Sequence, residues 1–217
     1  MPTLRGWLLL AGVLLAGALV FVRCAGAFLS PNAPLPAEAL VVEWWLPDTA
    51  LRAAAAEFKR GNYRYLITCG GALSPGERWA EYKTHAGVTT AVLTKLGIET
   101  NVIVTLPGTS VQRDRTYACG LAVREWIERT NKSISSVNVC SMGAHARRSR
   151  LLFQMALGDS AKVGIIAFPD DEYDTARWWA EPIGVQKIGS ETLAYLYARC
   201  FAMQKLLAEK WGSGVLE

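Results

Sequence analysis

Three regimes of hydrophobic patterning succeed one another along this chain. Gly6 to Val22 is an unbroken uncharged run, with Arg5 before it and Arg23 after it. Such a run stands at the lower limit for a membrane-spanning helix and slightly exceeds an ordinary signal-peptide core. Ala25-Gly26-Ala27 offers small residues for cleavage, but Arg23 interrupts the approach to them and no lipobox precedes Cys24. Residues 1–29 therefore read as an uncleaved signal anchor. The early positive charges, with few others before Arg52, weakly place the amino terminus in the cytoplasm and the rest outside. The proline-rich stretch 30–38 reads as a short, stiff linker.

From Ala39 onward, short apolar runs alternate with longer helix-like ones. The expected strands are 39–43, 63–69, 101–106, 136–141 and 162–168. The expected helices are 49–60 (opened by Asp48), 77–96, 114–129, one running to about Leu157, and 190–210. Regular alternation of this kind predicts an α/β domain over 39–217, a Rossmann-like three-layer sandwich with a mainly parallel sheet, preceded by one N-terminal membrane helix. Sites in such folds lie beyond the carboxyl ends of the strands. The residues expected there are Glu43-Trp44, Gly70-Gly71, Pro107-Gly108-Thr109-Ser110, Ser141-Met142-Gly143 and Asp170-Asp171.

The passage from the fourth strand into its helix, VNVCSMGAHARRSR, carries the most chemistry. A strand running into a helix aims the first backbone N–H groups at whatever lies beyond, and that end favours anions. His145, Arg147, Arg148 and Arg150 oppose the helix dipole there, which a bound anion would explain. At 100° per residue, Arg148 falls within an apolar stripe through Ala144, Leu151, Leu152 and Met155. An arginine on a buried face needs an acid or a ligand. A solvated basic face with one structural salt bridge and an anion site are the two alternatives. Glu43 is either a general base or the partner of Arg148. Thr116 shares the inner face of its helix with Cys119, Gly120, Val123 and Ile127, and bonds either a phosphate or its own backbone.

Composition narrows the picture further. The chain has 217 residues, 51% of them hydrophobic, enough for one substantial core. A net charge of +4 with no basic run excludes nucleic acid as a natural partner. Five cysteines show no metal or disulfide spacing, and with only His85 and His145 beside them no metal site is expected. Cys69, Cys119 and Cys140 fall at core positions. The pairs Trp44-Trp45 and Trp178-Trp179 suggest an aromatic-walled crevice, a membrane-facing rim, or ordinary packing.

Cys69-Gly70-Gly71, Asp114-Arg115-Thr116-Tyr117 and Cys140-Ser141-Met142-Gly143-Ala144-His145-Ala146-Arg147-Arg148 together resemble, in order and spacing, the SanA/ElyC/YdcF-like family, a bacterial domain. The likeness covers roughly residues 40–201. It departs from the family where Cys69 replaces a serine, at Tyr117-Ala118-Cys119, at the start Glu43-Trp44-Trp45-Leu46-Pro47-Asp48, and near Glu77, where an acidic-Ala signature is missing. The resemblance implies an envelope factor linked to cell-wall assembly and lipid carriers, single-pass in the bacterial inner membrane with its domain outside. A soluble member implies S-adenosylmethionine binding.

The expected function is binding of an anionic ligand, phosphorylated and in one form a lipid-linked cell-wall precursor, with the cofactor unknown. Arg147, Arg148, Thr116, Ser141, Gly143, Gly70 and Gly71 are the candidate ligand-binding residues. His145, Glu43 and Asp170 are the candidate catalytic acid–base groups, and no nucleophile is evident. The alternatives are a nucleotide- or S-adenosylmethionine-binding enzyme and a non-enzymatic envelope scaffold.

Overall fold

A computed structural model describes residues 3–73, 82–108, 114–130 and 133–212, with side chains described through residue 200. After α1 (Leu4–Leu29) come β1 (Ala39–Glu43), α2 (Asp48–Arg60), β2 (Tyr65–Gly70) and α3 (His85–Lys95). A 3-10 turn, Thr100–Val102, leads into β3 (Ile103–Pro107), α4 (Arg115–Thr130), β4 (Ser136–Met142), α5 (His145–Leu157) and β5 (Lys162–Phe168). A 3-10 segment, Thr175–Ala180, then precedes α6 (Pro182–Gly212).

The five strands run parallel in the order β3-β2-β1-β4-β5. This is the α/β, Rossmann-like sandwich that the alternation predicts. Strand periodicity sorts the core into two layers. Val41, Ile67, Val139 and Ile165 pack under α4 and α5, while Leu40, Val42, Leu66 and Cys140 pack under α2 and α3. Cys69, Cys119 and Cys140 are buried as expected, and Cys24 and Cys200 are exposed. Chain direction across the sheet reverses between β1 and β4, so a crevice opens at their carboxyl ends.

Several element limits differ from the sequence reading, each for a local reason. The helix expected from Glu77 begins at His85, because the Thr84 side chain caps it by accepting from Gly87 N–H at 3.1 Å. The expected start at Glu77 lies outside the described residues. The last helix begins at Pro182 rather than Ser190; proline is at home in a first helical turn. Gly184, which weakens a helix in isolation, lets that turn lie directly against the Trp178 backbone. The buried stripe of α5 is also rotated from the expected one. It runs through Ala146, Ser149, Leu152, Phe153 and Ala156, which leaves Arg148 on the flank and only partly buried.

The amino-terminal region is not simply an anchor on a spacer. Residues 4–29 form one helix long and apolar enough to cross a membrane, exposed along Leu8, Leu14 and Leu19. Its last turns, however, join a third apolar cluster: Ala25 and Leu29 pack with Ala144, Tyr173, Trp178 and Ile188. The expected linker is pinned as well. Ala33 pairs with Ile165, and Asn138 holds Leu35 by accepting from its N–H at 2.9 Å and donating to its carbonyl at 2.8 Å. Gly26 sits so close to Thr175 that any Cβ there would collide with the Thr175 carbonyl oxygen. Replacing Gly26 with valine should therefore destabilise the detergent-solubilised full chain by about 1–3 kcal/mol through overpacking. Thermal unfolding would check this; an unchanged midpoint would mean that the helix end does not dock.

Candidate functional site

The crevice between β1 and β4 is a cleft of about 480 Å³, walled by Trp44 and Trp45 on one side and by residues of α5 and α6 on the other. Strand alternation turns Glu43, like Val41, toward α5, and α5 returns Ser149 to meet it. The Ser149 hydroxyl donates to Glu43 Oε2 at 2.8 Å and lies 3.2 Å from the Ser141 hydroxyl. Glu43 is only 2% exposed. Burial alone would raise its pKa, but the nearby His145 imidazole, with the two serines, holds it below the usual carboxylate value.

His145 stands between two acids. Its Nε2 is 3.8 Å from Glu43 Oε1, and its Nδ1 is 3.1 Å from Glu191 Oε1 and 2.8 Å from Arg148 Nη2. A proton on Nδ1 is held by Glu191; without it, Nδ1 accepts from Arg148. Arg148 also grips Glu191 with two bonds, Nε at 2.8 Å and Nη2 at 3.0 Å. Although burial opposes it, the two carboxylates raise the His145 pKa. For Glu191, His145 and Arg148 outweigh burial and lower the pKa to about 2. Also on the cleft lining, Lys187 Nζ donates to both Asp170 oxygens, at 2.9 and 2.8 Å, and pairs with Glu172.

The structure brings Glu43, His145, Arg148, Asp170 and Thr116 to this cleft or its floor. The other candidates stand elsewhere. Arg147 turns away to α1, where its guanidinium lies 3.9 Å over the Phe28 ring and donates to the Phe28 carbonyl. Gly143 does not offer a free N–H, because it donates to the Phe168 carbonyl at 2.9 Å; its φ of +49° turns the chain from β4 into α5. Ser141 is buried and acts within the chain of hydroxyls to Glu43. Gly70 and Gly71 serve packing: a Cβ on Gly70 would come within 2.8 Å of Trp44 Cβ, and Gly71 accepts from His85 N–H at 2.9 Å. The partner of Arg148 is Glu191, not Glu43. Thr109 and Ser110 lie outside the described residues, as does most of the loop between β2 and α3.

Glu191, Lys187 and Ser149 escape a sequence reading. The first two follow the last strand, where nothing in the sequence ties them to the ends of β1 and β4. The available signal for Ser149 was its spacing, one turn beyond His145 on the inner face of α5. Among the described residues, no cluster of three His, Cys, Asp or Glu side chains is placed to hold a metal ion. Cys69, in contact with Cys119 and buried, and Cys140, buried, have thiols held well above their usual pKa, so neither is a ready thiolate.

No family model matches this chain, and no curated protein does. Among solved structures, a mutant form of enoyl thioester reductase from Candida tropicalis is similar at 12% identity, over 84% of this chain and 50% of that one, with a TM-score of 0.30. The chain thus spans half the length of that enzyme, a likeness too slight to bear on function.

The ion cluster sets a pH dependence. The raised His145 pKa gives stabilisation that is complete below its unfolded value near 6.5 and is lost as pH rises through the folded value. Glu191 gives stabilisation that is present above its unfolded value near 4.5 and is lost as pH falls toward about 2. The cluster therefore stabilises most between these unfolded values. The full chain should lose melting temperature as pH rises above neutrality, and His145→Gln should flatten that limb. Parallel melting curves for the two proteins across pH 6–9 would rule out a charged His145 in the fold.

Proposed function

We propose that this chain is a single-pass factor of the bacterial cell envelope, of the SanA/ElyC/YdcF-like kind, whose extracytoplasmic domain binds an anionic ligand. The ligand class is phosphorylated, in its fullest form a lipid-linked cell-wall precursor. One observation carries the reading: His145, Arg148 and the first turn of α5, which no side chain caps, meet in a single cleft at the carboxyl ends of β1 and β4. Trp45 adds to it, because its indole N–H is buried beside the cleft without a partner among the described residues. The envelope setting rests on the family resemblance and on the apolar α1.

Glu191 now holds the hydrogen bonds that such a ligand needs. Binding is then an exchange, in which a phosphate oxygen replaces the Glu191 carboxylate on Arg148 and takes the Nδ1 proton of His145. Arg148 Nη1, without a partner among the described residues, is available to the incoming group. Asp170, released in the same way from Lys187, would be the second acid–base group if a reaction follows. A scaffold reading is favoured by one fact, that Arg148 already has its acid in Glu191.

Thermal-shift titration separates the two readings. It should use the full chain in detergent, because Ala25 to Leu29 belong to the folded domain. Phosphate, pyrophosphate, prenyl phosphates, nucleotides and S-adenosylmethionine form the panel. Phosphates should raise the melting temperature, and Arg148→Ala should abolish the rise. Glu191→Gln should tighten phosphate binding about tenfold, the scale of one charge-assisted hydrogen bond relieved of its competitor. Stabilisation by none of them, in either the natural chain or Glu191→Gln, would leave the scaffold reading in place.

A further inference from the structure

We infer that the 3-10 segment Thr175–Ala180 and the first turns of α6 form a foot that rests in the headgroup layer of the bilayer entered by α1. This rests on reading α1 as a membrane span. The partner is a lipid surface, and the argument is one of depth. From Arg5 to Arg23 the helix rises about 27 Å at ~1.5 Å per residue, close to the ~30 Å hydrocarbon core. Phe21 and Val22, which close the uncharged run, then stand at the edge of that core.

Trp178 is joined to those same residues. Its indole N–H donates to the Val22 carbonyl at 2.9 Å, and its ring meets Phe21 edge-on at 6.1 Å. One turn further along α1, the close approach of Gly26 to Thr175 repeats the attachment. The segment cannot rise from the bilayer without parting α1 from the domain.

The exposed side chains of the foot suit that depth. Trp179 is 38% exposed and its ring lies 5.8 Å from the Arg23 guanidinium; Arg177 is exposed beside it, and Val185 is 48% exposed. Indole rings settle where apolar and wet layers meet, and neighbouring guanidinium groups reach lipid phosphates. Beyond Val22, α1 rises another ~9 Å to Phe28, where Arg147 ties it to the start of α5. The foot thus sets the cleft at the outer edge of the headgroup layer and fixes its facing.

Nitroxide depth measurement tests the foot. The full chain carrying Cys24→Ser and Cys200→Ser would be placed in nanodiscs of phosphatidylcholine and phosphatidylglycerol. Single labels would follow at Trp179→Cys, Val185→Cys, Leu14→Cys and Asp159→Cys, with thermal unfolding to confirm that each chain is folded. Collision with oxygen is compared with collision with a water-soluble nickel chelate. Leu14 should read deep and Asp159 open to nickel. Positions 179 and 185 should fall between, with nickel collision at least about threefold below that at 159, as for a site at the membrane interface. A deep Leu14 with 179 and 185 as open to nickel as 159 would overturn the foot alone. A nickel-open Leu14 would overturn the spanning reading, and the foot with it.

Discussion

Glu43 closes the central strand with a buried carboxylate, and burying an unpaired charge costs several kcal/mol. Much of the architecture around the cleft follows from neutralising it. Ser149 and His145 of α5 face it, so α5 is set against the end of β1 by polar contacts as well as by the apolar packing of Ala146 and Phe153. His145, drawn between acids, needs Glu191, and Glu191 in turn engages Arg148. The sequence of contacts runs from β1 through α5 to α6. It explains how three of the four basic or imidazole groups near the start of one helix are accommodated: His145 and Arg148 are offset by acids, and Arg147 leaves for α1.

The same arrangement gives the cleft a resting state. Two of its cationic side chains, Arg148 and Lys187, hold carboxylates of the chain itself, while Arg115, also on the lining, lies over the Trp44 ring. Displacing either carboxylate would take a better acceptor than a side-chain carboxylate, a condition met more readily by groups with several charged oxygens than by singly charged ones. Engagement of Arg148 would be governed by exchange at Glu191.

At its other side the cleft shares residues with the cluster that seats the end of α1. Ala144, which begins the turn into α5, and Tyr173, which stands against Gly143, belong to the cluster that buries Ala25 and Leu29. The helix that is long and apolar enough to cross a membrane is thus part of the wall behind the site. Cutting the chain at residue 29 would remove that wall, which is why the intact chain is the meaningful object for binding and stability.

Local pattern sufficed for the layered α/β fold. Alternating apolar runs specify strands, Ala-rich amphipathic stretches specify helices, and Glu43, Ser141 and His145 fall at strand ends because that alternation puts them there. The inner face of α4, through Cys119, Gly120, Val123 and Ile127, was equally legible from its period. What periodicity could not reveal was which distant groups meet. The pairing of Arg148 with Glu191, the claim of α1 on Arg147, the use of the Gly143 N–H by Phe168, and the docking of Trp178 on Val22 all join residues far apart in the chain. A sequence carries its own helical and strand periods within a few residues. The partner of a charge, by contrast, is decided by how helices pack across the sheet, and only the folded chain brings those helices together.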